Sequence, residues 1–192
     1  MNGMPDYRFE TPRLLLRPPE PADFDDFAAS AADPAGMKYL GGPQPRSTAW
    51  RAFAGMVGGW IMLGHGMFSV IEKRTGRWVG RVGPIQPEGW PGTEVGWGVI
   101  GDVQGTGMAF EAAVASMDFA VGRLGWQDII HCIDDGNARS IALAKRLGAE
   151  PRGLTNLPPP HETVGVRLWG QSRDAWLARR PSLGLPLAWP AA

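Results

Sequence analysis

Between Thr93 and Ile133 the chain runs through four patterns with little slack: the apolar alternation "TEVGWGV", the glycine-broken "VQGTG", a long helical repeat, and the apolar "DIIHCI". In the repeat, Phe110, Val114, Met117, Val121 and Leu124 step by four, three, four and three residues along one face. Glu111, Ala115, Asp118 and Gly122 are turned away. "NARSIALAKRLG" follows as a second helix, with Asn137 placed to cap its start and Gly148 its end. This strand–helix–strand–helix run comes after hairpin-like segments and predicts a mixed α/β sheet flanked by helices.

Upstream, "RLLLRP" (Arg13 to Pro18) reads as a short strand. A helix follows, carrying Phe24, Phe27, Ala28 and Ala31 on one face. A further helix is expected to start at Ser47 or Thr48 and to end before Gly64. "MFSVIEK" and "WVGRVG" flank "RTGR", a hairpin signal. After Pro158–Pro160, "TVGVRLWG" reads as a last strand, and the tail 181–192 as peripheral. The expectation is one domain over 1–192 with its core at about 10–176.

Several classes are excluded at this level. With 19 basic and 19 acidic residues, no global field favours nucleic acid or an anionic membrane. Ala52 to Ile71 is free of Lys, Arg, Asp and Glu, but "GHG" interrupts it, and helical spacing followed by a strand explains it better than a membrane span. The N-terminal "MNGMPDYRFETPR" lacks the apolar core of a signal peptide. The single cysteine, Cys132, fits a reducing, cytoplasmic compartment. Three scattered histidines without H-x-x-x-H or C-x-x-C spacing predict no metal site.

The glycines then need an explanation. "GWGVIG" (Gly96 to Gly101) satisfies G-x-G-x-x-G, but a dinucleotide site requires that motif to be the turn into the helix, and here it lies in the strand. A Walker loop needs a Gly-Lys-Ser/Thr ending that is absent. What remains is a helix N-terminus with bare backbone ahead of it. Glycines at 105 and 107 let a phosphate reach amides that have no internal partner and carry the positive end of the helix dipole. A glycine-rich turn that only starts a helix fits the same residues.

"EVGWGVIGDVQGTGMAFEA" is similar, without gaps, to the central motif of the GNAT N-acetyltransferase superfamily, Gln/Arg-x-x-Gly-x-Gly/Ala. "DDGNARSIALAKRLGAEPRG" resembles that superfamily's Asn-x-x-Ser segment. "TPRLLLRPPEPADFDDF" and "VRLWGQSRDAW" resemble the opening and closing elements of its ribosomal-protein-alanine acetyltransferase-like branch. The resemblance implies a mostly antiparallel mixed sheet with a splayed central strand pair. It also implies acetyl-CoA as cosubstrate and direct acetyl transfer to an amine, either a protein N-terminus or a small molecule. By the same resemblance, Gln104, Gly105, Thr106, Gly107, Met108 and Ala109 cradle the pyrophosphate, while Gly98 and Val99 offer backbone groups to the pantetheine arm.

For the chemistry, Glu94 is the candidate base, on the strand face shared with Gly96 and Gly98. The competing reading is a Glu that orients a loop or pairs with an arginine. Asn137 and Ser140 fit a helix cap and first turn. The resemblance adds a contact from Asn137 to the pantetheine amide and a hydrogen bond from Ser140 to the departing sulfur. Glu111, in the family's usual "EA" pair, is expected to brace the helix. Cys132 reads as a small buried residue and no nucleophile. His65 and His161 read as loop histidines, and Trp60, Trp90 and Trp97 fall near elements that shape the acceptor pocket. Ala144 stands where many relatives carry a tyrosine acid, and Gly148-Ala149 replaces Gly-Phe. The first departure leaves open a non-catalytic acyl-CoA-binding module of the same fold.

Overall fold

The computed structural model describes residues 5–159 and 165–189. Strands β1 (Phe9–Glu10), β2 (Leu14–Arg17), β3 (Phe68–Glu72), β4 (Trp78–Ile85), β5 (Glu94–Val99), β6 (Asp128–Ile133), β7 (Glu150–Thr155) and β8 (Val166–Ser172) form one sheet in the order β1-β2-β3-β4-β5-β6-β8-β7. Every neighbouring pair is antiparallel except β5 and β6, which run parallel and meet only at Glu94 opposite Ile130. Helices α1 (Phe24–Ala32), α2 (Arg46–Leu63), α3 (Met108–Gly122), α4 (Ala138–Leu147) and α5 (Arg173–Arg179) flank the sheet. This is the mixed, mostly antiparallel sheet with a splayed central pair that the resemblance implied.

Phe27, Ala28 and Ala31 of α1 pack with Ala49 and Phe53 of α2 against Ile71 and Trp78 on one face of the sheet. On the other face Leu14, Leu16, Val70, Val79, Val95 and Ile129 meet α3. The turn before α1 is held by a buried pair. Arg17 grips both oxygens of Asp23 at 2.7 Å, and Ser69 donates to the same carboxylate at 2.6 Å. No helix among the described residues is long and apolar enough to cross a membrane.

Four expectations need correction. The first is the start of α2, which begins at Arg46 rather than after Ser47 or Thr48. Pro45, already fixed near helical φ, turns its carbonyl to the amides of Thr48 and Ala49 and acts as the cap. The second is β7, which "EPRGLT" did not announce. It is an exposed edge strand with a proline and an irregular register, the kind of segment whose pattern carries no burial signal.

The third and fourth corrections belong together. The face of α3 expected to point away is buried: Glu111 is 2% and Asp118 5% exposed. The two ends of the described chain cover it, so the tail is not peripheral up to Trp189. Leu183, Leu185, Ala188 and Trp189 pack on the main core, and the Trp189 ring stands edge-on to Tyr7, Phe9 and Phe119 at 5.8, 5.9 and 5.3 Å. A helix apolar nearly all round cannot be left with one side in water.

Arg180 locks this cover. It donates to Asp118 at 2.8 Å and to the carbonyls of Leu185 and Pro186, with the two side chains of the pair 7% and 3% exposed. Removing one partner of such a pair strands the other in a dry site. Arg180→Met is therefore expected to lower unfolding free energy by about 3–5 kcal/mol in urea titrations. Adding Asp118→Asn should restore a substantial part of that loss.

Candidate active site

The site begins where β5 and β6 part. Below the parting the strands are tied: Ile130 N–H donates to the Thr93 carbonyl at 2.9 Å, and the Thr93 hydroxyl donates to the Asp128 carbonyl. The next rung of a parallel ladder would run from Cys132 N–H to the Val95 carbonyl. Both groups are redirected to side chains. Glu94 Oε1 accepts from Cys132 N–H at 3.0 Å, and His131 Nδ1 meets the Val95 carbonyl at 2.7 Å. Because a carbonyl only accepts, Nδ1 carries the proton. The fork therefore opens with the donor and the acceptor of its first missing rung both satisfied.

These substitutions set the charges. His131 is 1% exposed, and burial pushes its pKa down to about 4, so it is neutral. Burial raises Glu94, which is 5% exposed, although bonds from Cys132 and from Trp90 Nε1 (2.6 Å) pull the other way. Burial together with the neighbouring Glu94 carboxylate drives the Cys132 thiol far above its ordinary range. The thiol stays protonated, which agrees with the reading that it is no nucleophile. Glu94 thus combines a bond to the loop carrying Trp90 with an elevated proton affinity.

Beyond the fork, β5 leads through a short 3-10 turn (Gly101–Val103) to α3. Gly105 and Gly107 take φ of 79° and 84°, a conformation that L side chains resist. A Cβ at Gly105 would meet nothing within 4 Å, and one at Gly107 only the Arg13 guanidinium at 3.4 Å. The amides of Gln104 and Thr106 are engaged within the turn, on the carbonyls of Gly101 and Val103. The Met108 amide meets only the Thr106 hydroxyl, at 3.4 Å. Gly105, Gly107 and Ala109 carry amides with no acceptor among the described residues. An anion fits this cradle on the combined grounds of bare surface, free donors and helix dipole.

Glu111 and Gln104, both read in the sequence, hold the cradle together with Thr11, Arg13 and Arg139, which were not singled out there. Glu111 accepts from Thr11 Oγ1 (2.6 Å), Arg13 N–H (2.8 Å) and Arg13 Nε (2.6 Å). Burial alone would raise its pKa, but these bonds outweigh it and hold the carboxylate ionised. Glu111 thus braces α3, as expected, and also fixes Arg13, whose Nη1 donates to the Thr106 carbonyl at 2.9 Å. Gln104 links the elements of the fork: Nε2 approaches the Val99 carbonyl at 3.4 Å, and Oε1 accepts from Arg139. Arg81 of β4 runs beside Gly98, its guanidinium 4.9 Å from the Phe27 ring, with no ion pair among the described residues. An arginine inside the apolar "WVGRVG" was the available signal for it.

Asn137 Oδ1 accepts Ser140 N–H at 3.2 Å, the expected cap, which leaves its amide nitrogen toward the fork mouth unassigned to any bond. Ser140 Oγ accepts from Trp97 Nε1 at 3.2 Å, so the Trp97 indole turns to α4. Glu94, Gly96 and Gly98 share one face of β5, and Val95 and Trp97 the other, so Glu94 and Ser140 flank the fork from opposite sides of the sheet. Ala144 is fully buried beside Ile133, Ala149 and Trp169. Trp60 lies in the core and donates to the Met67 carbonyl. His65 is not a solvated loop residue: it is half-buried, edge-on to Trp126 at 5.4 Å. His161 lies outside the described residues. No cluster of His, Cys, Asp or Glu suited to a metal gathers among the described residues.

Residues 13–150 match the family model of the acetyltransferase (GNAT) domain. The chain belongs to the GNAT acetyltransferase family. It is similar to the acetyltransferase from Agrobacterium tumefaciens str. C58 at 27% identity, with 89% of this chain and 97% of that one covered and a TM-score of 0.77. The GNAT-family acetyltransferase from Bacillus anthracis shares the fold at 20% identity, 88% and 99% coverage and a TM-score of 0.72. So does a candidate ribosomal-protein-serine acetyltransferase from Vibrio cholerae, at 20% identity, 88% and 99% coverage and a TM-score of 0.73. The family generally uses acetyl-CoA, and the open cradle before α3 is a place its pyrophosphate fits.

The fork also dictates a pH response. His131 titrates near 6.5 when unfolded and at about 4 when folded, so between these values the unfolded chain binds more protons and acid destabilises the fold. The loss amounts to about 3 kcal/mol across that window. Glu94, raised by burial, works in the opposite direction, since its folded form holds a proton more readily. The difference in unfolding free energy between the parent and His131→Asn, followed from pH 7 to 4, isolates the histidine. The parent is expected to lose more stability over that range than the variant.

Proposed function

We propose that this GNAT member transfers the acetyl group of acetyl-CoA to a primary amine, directly and within a ternary complex. The observation that carries this reading is the fork between β5 and β6, leading to the bare, positive-φ glycines 105 and 107 at the start of α3. When bound, acetyl-CoA supplies the thioester that the amine attacks. Gly105, Gly107 and Ala109 would offer amides to its pyrophosphate, and Gly98, Val99 and Asn137 polar groups to the pantetheine arm. Gln104, Thr106 and Met108 shape the loop.

Glu94 takes a proton from the amine through a water, its raised proton affinity suiting the task. Ser140 donates a hydrogen bond to the sulfur from the opposite face of β5. An α-amino group, with reference pKa about 8 against about 10.4 for lysine, asks least of such a base. The resemblance to the ribosomal-protein-alanine branch supports a protein N-terminus as acceptor. So does the shared fold of the Vibrio cholerae protein. The loop before β5 and the loop after β7 meet at Gly89 and Pro158 and would border the acceptor. The buried Ala144 favours the second reading, an acyl-CoA-binding module without catalysis, because no tyrosine acid stands at that position.

Calorimetric titration with acetyl-CoA, with NAD and ATP as controls, tests the first step. Micromolar affinity is about −8 kcal/mol. Gly107→Val should weaken it by ~100-fold or more in a protein still folded by circular dichroism, at some cost in stability because φ is positive there. Thiol release with a panel of amines and N-terminal peptides tests the second. Glu94→Gln keeps an acceptor for Cys132 N–H and is expected to lower kcat by roughly 100-fold or more. Binding without acceptor-dependent thiol release would favour the second reading, and no binding by the parent would defeat both.

A further inference from the structure

We propose that Trp97 is a positioning residue that aims the Ser140 hydroxyl at the sulfur of coenzyme A. The inference rests on the reading of Ser140 given above. Trp97 leaves β5 on the α4 side, and its indole crosses the fork to donate from Nε1 to Ser140 Oγ at 3.2 Å. The ring is held from behind by His131, 4.7 Å away and tilted by 47°, whose own orientation is fixed by the Val95 carbonyl. Trp97 also packs against the apolar clusters on either side of it. The indole therefore has little freedom to release the hydroxyl.

The consequence follows from the inventory of a serine side chain, which has one proton to give and two lone pairs to receive. Helical serines commonly turn that proton back to the carbonyl of the preceding turn. Here the indole N–H occupies one lone pair of Oγ, and the hydroxyl proton has no acceptor among the described residues. Ser140 N–H is meanwhile held by Asn137 Oδ1, which fixes the Cα beneath the hydroxyl. An O–H pinned in this way, in the first turn of α4 and at the positive end of its dipole, is set to donate to an anionic sulfur.

The test uses coenzyme A itself, without an acceptor. The thiol of bound coenzyme A is titrated by its thiolate ultraviolet absorbance, with ligand-free protein as blank, in the parent, Trp97→Phe, Ser140→Ala and the double variant. Phenylalanine keeps an aromatic ring against His131 and removes the donor together with part of the indole's bulk, the loss that the affinity measurement controls for. The bound thiol is expected to titrate below free coenzyme A in the parent. It should rise by about one pH unit in Ser140→Ala and by a similar amount in Trp97→Phe, and no further in the double variant. Calorimetric affinity for coenzyme A at neutral pH should stay within a few-fold throughout, which a packing defect at the fork would not allow. A shift in Ser140→Ala with none in Trp97→Phe, or shifts that add in the double variant, would overturn the role of Trp97. Absence of a shift in Ser140→Ala would overturn both residue roles. Acetyl transfer, tested by thiol release, would stand or fall on its own.

Discussion

The two hydrogen bonds exchanged at the mouth of the fork are what the rest of the site depends on. A parallel strand pair that stops after one rung leaves a donor on one strand and an acceptor on the other, in a place that water reaches poorly. Leaving either bare would cost on the order of 1–3 kcal/mol. Here each strand lends the other a side chain: Glu94 of β5 serves Cys132 of β6, and His131 of β6 serves Val95 of β5. The separation is thus part of the bonding pattern, held open by residues too long to let the strands close. In the mechanism proposed above the same two residues also serve the chemistry, since one carries the raised proton affinity and the other backs the indole that bonds Ser140.

A second dependence runs along α3. This helix has to be apolar on nearly every side because the sheet, α4 and both chain ends pack around it. Its two carboxylates therefore demand partners inside the protein, and the chain ends provide them: Arg13 and Thr11 for Glu111, and Arg180 for Asp118. Arg13 does more than neutralise Glu111. Its contact with the Thr106 carbonyl ties the glycine loop to β2's approach, so the amides before α3 are presented by a supported loop. Arg146 of α4 lies 3.6 Å over the Phe110 ring and fixes the second helix against the first.

What was legible in the sequence follows from this. The apolar repeat of α3, the alternation of β5 and the cap-to-cap span of α4 are local patterns, and the structure keeps them where they were read. The family motif placed the cradle for the same reason, as it is contiguous from Gln104 to Ala109. Contacts between distant segments had no local trace. Glu111 and Asp118 looked solvent-facing because nothing near them in the chain reveals that residues 11–13 and 180 come to meet them. The bond from Trp97 to Ser140 left no trace either, because the two are 43 positions apart. β7 was invisible for the opposite reason: an exposed edge strand with Pro151 has neither the burial nor the β-branched content that betrays a strand.

Polarity also divides the site along its length. At the α3 end stand Arg13, Arg139 and a helix N-terminus, all positive and bordering open space. Between β5 and β6 several groups carry no charge: a histidine that burial keeps unprotonated, a thiol that burial and the Glu94 carboxylate keep protonated and, at Ala144, no functional group at all. An elongated ligand with a polyanionic head and a weakly polar arm has one sensible orientation in such a channel, head at the glycines and reactive end at the fork. The neutral throat also explains why Glu94 stands out there. With no cation paired to it among the described residues, burial outweighs its hydrogen bonds and raises its affinity for a proton. A carboxylate in that state is a poor structural anion but a competent base. In the mechanism proposed above, the residue that holds the fork open is thereby also the one that serves as base.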